Sequence, residues 1–159
     1  MKSSAITYLT GDATQPMSVG NKIIVHVCND IGGWGRGFVL AISKRWREPE
    51  AEYRKWSKSA TNFELGEVQF IQVETDVWIA NLIGQHKVNK DENGNAPIRY
   101  EAVRAGLEKV AIFAKKNNAS IHMPRIGCGL AGGTWDKMEP IIFETLSENN
   151  LPVYVYDFG

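Results

Sequence analysis

Two glycine-rich segments of this sequence have the composition of anion-binding turns. Residues 32–37 read Gly-Gly-Trp-Gly-Arg-Gly, and residues 127–133 read Gly-Cys-Gly-Leu-Ala-Gly-Gly. Each follows an apolar, strand-like run and precedes a segment with helical spacing. Glycine lets backbone amides curl closely around an anion, and the start of the following helix adds unpaired N–H donors and a positive dipole end. The pattern predicts a ligand with two phosphates, or one diphosphate held from both sides.

Side chains capable of acid–base chemistry lie close to these turns. His26, Asn29 and Asp30 precede the first turn, and His86 follows a later apolar run. Histidine titrates close to neutrality and can act as a general acid or base. His26 lies inside an apolar strand, where a core histidine hydrogen-bonded to backbone is the favoured interpretation, and Asp30 could activate water or cap a turn. The candidate catalytic residues are nevertheless His26 and Asp30.

The elements that must position these residues alternate between strand and helix. The predicted strands cover residues 6–9, 22–28, 68–73, 77–83, 120–126 and 152–158. The predicted helices cover residues 38–46, 50–58, 99–116 and 134–149. Residues 74–76 would form a hairpin turn, and residues 84–95 a polar loop. This alternation predicts an α/β fold, a three-layer α/β/α sandwich around a central mixed, mostly parallel sheet.

The predicted fold also places the candidate site. In open α/β sheets, ligands bind beyond the carboxyl ends of the strands. Four segments follow those ends: Gly11 with Asp12, residues 29–37, Gln85 with His86, and residues 127–133. We therefore expect all four to converge on one cleft.

Composition limits the classes of partner. The chain has 159 residues, of which 43% are hydrophobic and 23% charged, as expected for one globular domain over residues 1–159. Lys+Arg and Asp+Glu both number 18, so no overall field attracts a polyanion, and duplex nucleic acid is disfavoured. Residues 1–5 lack an apolar core of signal-peptide length, and no apolar stretch approaches a membrane span. We expect a cytoplasmic monomer that does not contact membranes.

The two cysteines do not suggest a metal site. Cys28 and Cys128 are far apart in the sequence, and neither belongs to a CxxC or Cys/His spacing. We expect free thiols, with no metal and no cofactor.

Four ordered motifs resemble the macrodomain family, whose modules bind ADP-ribose. They are residues 11–14 (Gly-Asp-Ala-Thr), 24–29 (Ile-Val-His-Val-Cys-Asn), 35–38 (Gly-Arg-Gly-Phe) and 124–130 (Pro-Arg-Ile-Gly-Cys-Gly-Leu). The resemblance covers essentially the whole chain. Residues 26–37 are similar to the branch that contains the yeast ADP-ribose 1″-phosphate phosphatase. Residues 124–130, with Trp135, are similar to the human terminal ADP-ribose protein glycohydrolase.

The resemblance implies a role for each motif. Asp12 would accept a hydrogen bond from the adenine amino group, and Asn29 would point at the distal ribose. Residues 33–38 and 127–131 would wrap the diphosphate from opposite sides. The implied ligand-binding residues are Gly11, Asp12, Ala13, Asn29, Gly33, Trp34, Gly35, Arg36, Gly37, Phe38, Gln85, Ile126, Gly127, Cys128, Gly129, Leu130 and Ala131.

Several of these residues also have structural interpretations. Asp12 could simply form a turn, and Asn29 could satisfy turn backbone. Trp34 could cover the distal ribose, act as a lid, or anchor its loop in the core. Arg36 could pair with a phosphate or face solvent. Arg125 is expected to be structural, and Trp135 to pack at a helix start.

The catalytic residues of the resembled enzymes differ at the aligned positions of this sequence. The lysine and aspartate used by the human glycohydrolase align with Gln85 and Ala131, which cannot replace them. Val39 stands where another branch has an aspartate. The expected function is recognition of ADP-ribose, free or attached to a protein, with hydrolysis at the distal ribose of its 1″-phosphate or of an ester to a protein carboxylate. The alternative is a reader without catalysis.

An oxidoreductase is a third interpretation. Gly127, Gly129 and Gly132 match a dinucleotide fingerprint, and Asp157 ends the next predicted strand. Only one helix and one strand remain after the match, so a second mononucleotide-binding half is missing.

Overall fold

A computed structural model describes residues 5–158. Its strands are β1 (Ile6–Thr10), β2 (Lys22–Asn29), β3 (Val68–Glu74), β4 (Val77–Gln85), β5 (Ser120–Met123) and β6 (Val153–Asp157). Its helices are α1 (Phe38–Arg45), α2 (Glu48–Ser59), α3 (Tyr100–Asn117) and α4 (Trp135–Thr145). Short 3₁₀ turns cover Gly129–Ala131 and Ser147–Asn149. The expectation about a signal sequence rests mainly on residues 1–4, which lie outside the described residues.

One six-stranded sheet organises the molecule, in the order β1-β6-β5-β2-β4-β3. Neighbouring strands are parallel except β3, which forms the predicted hairpin with β4. This arrangement confirms the predicted mixed, mostly parallel sheet. It also gathers the carboxyl ends of five strands along one edge.

Helices cover both faces of the sheet. On one face, α3 and α4 bury apolar side chains against the sheet; those of α3 include the predicted stripe Val103, Leu107, Val110 and Ala114. On the other face, Ile42 of α1 and Tyr53 of α2 pack against Ile24 and Ile79. Strands β2 and β4 are buried almost throughout because they lie between two helical layers.

Three predicted boundaries were wrong, and proline explains two of them. Strand β5 ends at Met123 instead of residue 126, because Pro124 has no N–H to donate in a central strand. Pro49 belongs to the first turn of α2, which begins at Glu48, since the fixed φ of proline suits that position. The last helix stops at Thr145, and a separate 3₁₀ turn continues to Asn149.

Strand β4 is longer than predicted, and its extension matters for the site. It continues through Gln85, so the predicted loop at 84–95 starts two residues later. A register shift between Cys28 and Asn29 pairs Asn29 with Gln85. These two polar residues therefore end neighbouring strands side by side.

Among residues 5–158, no helix is both long and apolar enough to cross a bilayer.

Gly106 tests the packing of α3 on β4. Alanine in a helix interior is normally favoured over glycine by about 1 kcal/mol. Here a Cβ would lie 2.8 Å from both δ carbons of the fully buried Leu82. We expect Gly106→Ala to lower the free energy of unfolding by about 1–3 kcal/mol, as measured by urea denaturation. The loss of unfolding free energy caused by Gly106→Ala should be smaller when Leu82 is also replaced by alanine. An equal loss with and without Leu82→Ala would contradict a clash between the added Cβ and the Leu82 side chain.

Candidate functional site

Two adjoining cavities lie at the carboxyl edge of the sheet. The first, about 250 Å³, lies between the end of β2, the first glycine turn and Gln85. The second, about 270 Å³, lies between the first and second glycine turns. Both are lined by Arg36, Gln85 and Leu130. A Cβ built on Gly37 would be 3.6 Å from Cδ1 of Leu130, so the two turns approach each other closely. Of the four segments expected to share a cleft, parts of residues 29–37, Gln85 and parts of residues 127–133 line these cavities, whereas Gly11, Asp12 and His86 do not.

Backbone donors on both turns are free to bind a ligand. Among residues 5–158, the amides of Gly35, Arg36 and Gly37 make no hydrogen bond, and neither does that of Leu130 across the cleft. All four residues line the cavities. The first turn of α1 follows Gly37 directly, which adds the positive end of a helix dipole. The cleft thus presents N–H groups from two sides, an arrangement suited to an anion.

Asn29 fixes the shape of the first turn. Its Oδ1 accepts hydrogen bonds from the amides of Gly33 at 2.9 Å and Ile31 at 3.1 Å, and the Tyr53 hydroxyl lies 3.0 Å away. Its Nδ2 donates to the Gly33 carbonyl at 3.1 Å. The structure therefore shows the turn-stabilising role that the sequence left as an alternative. Because an amide nitrogen carries two protons, one donor remains for a ligand in the cavity that Asn29 lines.

Trp34 anchors the first turn in the core. Only 4% of the residue is exposed, and its Nε1 donates to the Ser43 hydroxyl of α1 at 2.8 Å. Its ring meets His26 edge-on, with 5.4 Å between centroids, and it lies equally close to Tyr53. The structure thus agrees with the core-anchor interpretation and not with an exposed lid, although Trp34 also contributes to the cavity wall.

Arg36 is an exposed cation of the cleft. It lines both cavities, and it forms no ion pair within the described part of the chain. Phe38, the first residue of α1, is half-buried beside it. Arg36 is therefore free to pair with a phosphate bound at the neighbouring amides.

The second turn is held by its own backbone and by two buried side chains. The Gly133 amide donates to the Gly127 carbonyl at 2.8 Å. Gly127 has φ +74°, and a Cβ there would meet Met138 and Ile98, so the position requires glycine. Ile126 and Ala131 are buried on either side of the turn. Cys128 is a half-buried free thiol whose pKa is raised chiefly by burial.

His26 has the setting of a core residue. It is 2% exposed, and its Nε2 lies 2.5 Å from Oδ1 of Asn81. The Asn81 amide nitrogen donates to the Pro49 carbonyl and to Gln69, which turns its oxygen toward His26 and assigns the imidazole proton to Nε2. Burial lowers the pKa of His26 to about 4. A neutral, hydrogen-bonded imidazole cannot supply a proton as a general acid at neutral pH, and its partner is a side chain instead of the expected backbone.

Asp30, the second catalytic candidate, lies outside the lining of both cavities. Its Oδ2 is 2.7 Å from Nδ1 of His86, and its Oδ1 accepts from the Lys87 amide at 2.8 Å. The sequence identified both Asp30 and His86 without predicting that they pair. The available signal was that each residue directly follows the end of one of two neighbouring strands.

The residues expected around adenine lie further along the sheet edge. Asp12 Oδ1 accepts from the amide and hydroxyl of Thr14, and its Oδ2 is 3.9 Å from the Arg45 guanidinium of α1. Ala13 is buried, and the Gly11 amide donates to Asp157. None of Gly11, Asp12 and Ala13 lines the two cavities. The turn expected as the alternative for Asp12 is present.

Arg125 links three elements beside the second cavity. It forms a two-pronged ion pair with Asp157 at 2.6 and 3.0 Å, and its guanidinium stacks on the rings of Tyr8 and Trp135. Its expected structural role fits these contacts, as does the packing of Trp135 at the start of α4. Asp157 is thereby engaged, whereas the dinucleotide interpretation needs it free for a ribose.

Acidic and lysine side chains are missing from the walls of the cavities. Among the described residues, those lining either cavity include no lysine, aspartate or glutamate. Gln85 lines both cavities, and its Nε2 donates to the Lys87 carbonyl at 2.8 Å. Ala131 and Val39 are buried. The cleft is therefore equipped to bind an anion mainly through backbone.

Comparisons with known proteins agree with this geometry. A macrodomain protein from Streptomyces coelicolor is 53% identical and superimposes with a TM-score of 0.85 over 98% of this chain and 100% of that one. A protein of unknown function from Bacteroides thetaiotaomicron is 56% identical, with a TM-score of 0.97 over 98% and 99% of the two chains. No protein-family model matches the chain.

Curated proteins with named activities are also similar to this chain, at lower sequence identity than the two solved structures. The chromodomain-helicase-DNA-binding protein 1-like of Mus musculus is 32% identical over 99% of this chain, which spans only 18% of that protein. The ADP-ribose 1″-phosphate phosphatase of Candida albicans is 24% identical over 95% of this chain and 98% of that protein. The ADP-ribose glycohydrolase OARD1 of Bos taurus is 26% identical over 98% and 93%.

The buried His26 predicts a pH dependence of stability. Its pKa of about 4 in the folded protein is below the usual 6.5, so the folded state binds fewer protons than the unfolded state between these values. Stability must therefore fall as the pH drops from about 6.5 toward 4. Between pH 7 and pH 5, wild type should lose about 2 kcal/mol more than His26→Gln in urea denaturation. Equal losses would contradict the assignment of His26 as a neutral core group.

Proposed function

The chain belongs to the macrodomain family, and from that premise we propose that it binds ADP-ribose and hydrolyses an ADP-ribose derivative at the distal ribose. The substrate would be ADP-ribose 1″-phosphate or an ester between ADP-ribose and a protein carboxylate. The partner is therefore a small molecule or an ADP-ribosylated protein.

The free amides of the two glycine turns carry the binding half of this proposal. N–H donors without partners among residues 5–158 lie on both turns: those of Gly35, Arg36 and Gly37 on the first and that of Leu130 on the second. The two turns approach each other closely at Gly37 and Leu130. A diphosphate supplies oxygens on two phosphorus atoms and can meet both turns at once. Each dipole or amide contact of this kind contributes about 0.3–1 kcal/mol, and more where solvent is excluded. Arg36 adds a cation at the same place.

The remaining parts of the ligand follow from this placement. The distal ribose would enter the cavity lined by Asn29 and Gln85, where one amide proton of Asn29 is still free. The adenine would extend the other way, toward Asp12 at the end of β1. The Asp12 carboxylate accepts from Thr14 through Oδ1, and its Oδ2, which lies 3.9 Å from the Arg45 guanidinium, would accept from the adenine amino group.

The proposed hydrolysis is supported by the names of curated relatives and by the donors that the cleft can offer to a reacting group. Curated relatives that this chain covers over almost their full length are named as an ADP-ribose 1″-phosphate phosphatase and an ADP-ribose glycohydrolase. Hydrolysis in this cleft would depend on positioning the distal ribose and on backbone donors that stabilise developing negative charge. His26 would contribute to the wall of the site and not to proton transfer, given its burial and its bond to Asn81.

A non-catalytic ADP-ribose reader is the second candidate. The walls of the two cavities favour a reader, because no described residue that lines them is an acid or a lysine. Gln85 and Ala131 also stand where the resemblance to the human glycohydrolase would place its catalytic lysine and aspartate. A reader would keep every backbone contact described above.

Gly35 offers a test of the binding mode. A Cβ at this position would meet nothing within 4 Å, so larger side chains can be introduced without disturbing the fold. Gly35→Glu should raise the Kd for ADP-ribose about 30-fold, because a carboxylate would face the diphosphate at a cost of about 2 kcal/mol. Gly35→Gln has the same size without the charge and should stay within about threefold of wild type. Isothermal titration calorimetry measures both, and equal Kd values for the two variants would contradict a phosphate at this turn.

Catalysis can be tested with both candidate substrates. Phosphorus NMR of ADP-ribose 1″-phosphate mixed with the protein reports binding through the diphosphate shifts and turnover through released phosphate. A peptide with an ADP-ribosyl glutamate ester tests the second substrate in parallel. We expect binding and release from at least one of them. Binding without release from either would establish the reader, and no shift at saturating protein would exclude ADP-ribose as the ligand.

A further inference from the structure

A third depression adjoins the two cavities, on the far side of residues 85–89. This rim bowl, about 640 Å³ in volume, is lined by Ile31 and residues 86–93. Val88 and Asn89 line both the rim bowl and the cavity that contains Asn29 and Gln85. The two spaces are therefore separated only by a short piece of chain and meet across those two residues.

His86 lines the rim bowl, and Asp30 holds its ring from outside that lining. The Asp30 side chain is 16% exposed and the His86 side chain 40%, with 2.7 Å between Oδ2 and Nδ1. Because a carboxylate accepts from Nδ1–H, the neutral imidazole keeps Nε2 as a free acceptor. Within the described residues, Nε2 has no hydrogen-bond partner. The pair has the geometry of a general base oriented by an acid.

The backbone beside the pair is held in a rare conformation. Lys87 has φ +59°, a left-handed value that non-glycine residues adopt infrequently. Two contacts hold it there: its amide donates to Asp30, and its carbonyl accepts from Gln85 Nε2. Asp30 thus fixes both the imidazole and the turn that follows it.

Two lysines of the rim bowl are available to an anion. Lys87 and Lys90 line it, are exposed, and form no ion pair within residues 5–158. Two acids also line the bowl: Asp91 accepts from Asn93 and Asn95 and lies 3.7 Å from Arg99, and Glu92 is exposed. Both hydrolysis reactions named above release an oxyanion, phosphate in one case and a carboxylate in the other.

We propose that the rim bowl receives the leaving group of the ADP-ribosyl substrate, and that His86 Nε2 transfers the proton of the hydrolytic water, with Asp30 as the positioning residue. This inference rests on the proposed hydrolase function. Nε2 takes a proton as water attacks the anomeric carbon of the distal ribose, and the water oxygen bonds to that carbon as its C–O bond to phosphate or carboxylate breaks. The electron pair of the broken bond stays on the leaving phosphate or carboxylate oxygen, which departs as an oxyanion, and Nε2 passes its proton to solvent. The Nδ1 proton remains hydrogen-bonded to Asp30 throughout.

Variants of the pair test this assignment in the full chain. His86→Gln should lower kcat about 100-fold or more on whichever substrate wild type hydrolyses, while the Kd for ADP-ribose stays within about threefold. Asp30→Asn keeps an acceptor for the Lys87 amide and should lower kcat about tenfold. Asp76→Asn is the matched control, because Asp76 forms an ion pair with Lys22 at the opposite end of the sheet. It should keep the wild-type kcat.

Chemical rescue separates catalysis from a merely structural role. The space left by His86→Ala opens onto the rim bowl, so added imidazole should restore at least about tenfold of the lost kcat. It should not restore that of His86→Gln, whose side chain fills the space. Wild-type turnover by His86→Gln, or a loss without rescue in His86→Ala, would overturn this inference while leaving the hydrolase in place. Binding without turnover by wild type would remove the hydrolase and the inference together.

Discussion

A turn that binds anions through its backbone cannot use those same amides to hold itself together, and the rest of this site depends on how that conflict is resolved. The solution is the side chain of Asn29, at the last position of β2. Its oxygen gathers the amides of Ile31 and Gly33, and its nitrogen reaches the Gly33 carbonyl. The Tyr53 hydroxyl donates to the Asn29 carbonyl at 2.6 Å, which ties the strand end to α2. Trp34 supplies the second anchor, through Ser43. With the first half of the turn fixed by side chains outside it, the amides of Gly35, Arg36 and Gly37 remain available.

Binding through backbone donors also accounts for the charge of the molecule. A protein that held a diphosphate by side-chain cations alone would need several of them in its cleft, whereas this chain has equal numbers of acidic and basic residues. Arg36 is the free cation between the turns, and Arg125 is engaged by Asp157. A site built mainly from backbone donors suits a small anion better than an extended polyanion, because it presents few side-chain cations.

Most of the fold could be predicted from the sequence, because strands β2 and β4 are continuous apolar runs and α3 has a clear helical stripe. The convergence of the glycine turns followed from the parallel sheet. Side-chain geometry was harder to predict. Nothing in the sequence shows that Asn81 turns its oxygen toward His26, or that Trp34 folds inward onto Ser43, since the first depends on the pairing of two strands and the second on how α1 packs. The partnership of Asp30 with His86 depends on the register between β2 and β4 and on the left-handed Lys87, which no local pattern specifies.

The end of β4 separates the cleft from the acid–base groups at its rim. Gln85, the last residue of β4, lines the cavity, and the next residue, His86, lines the rim bowl. A lysine at position 85 would place a charged amine in the cavity, whereas glutamine there cannot act as a base. The next residue, His86, is oriented by Asp30, which also closes the turn at Lys87 from the neighbouring strand. Binding by backbone tolerates such a change, because the donors of the glycine turns do not depend on which side chain does the chemistry.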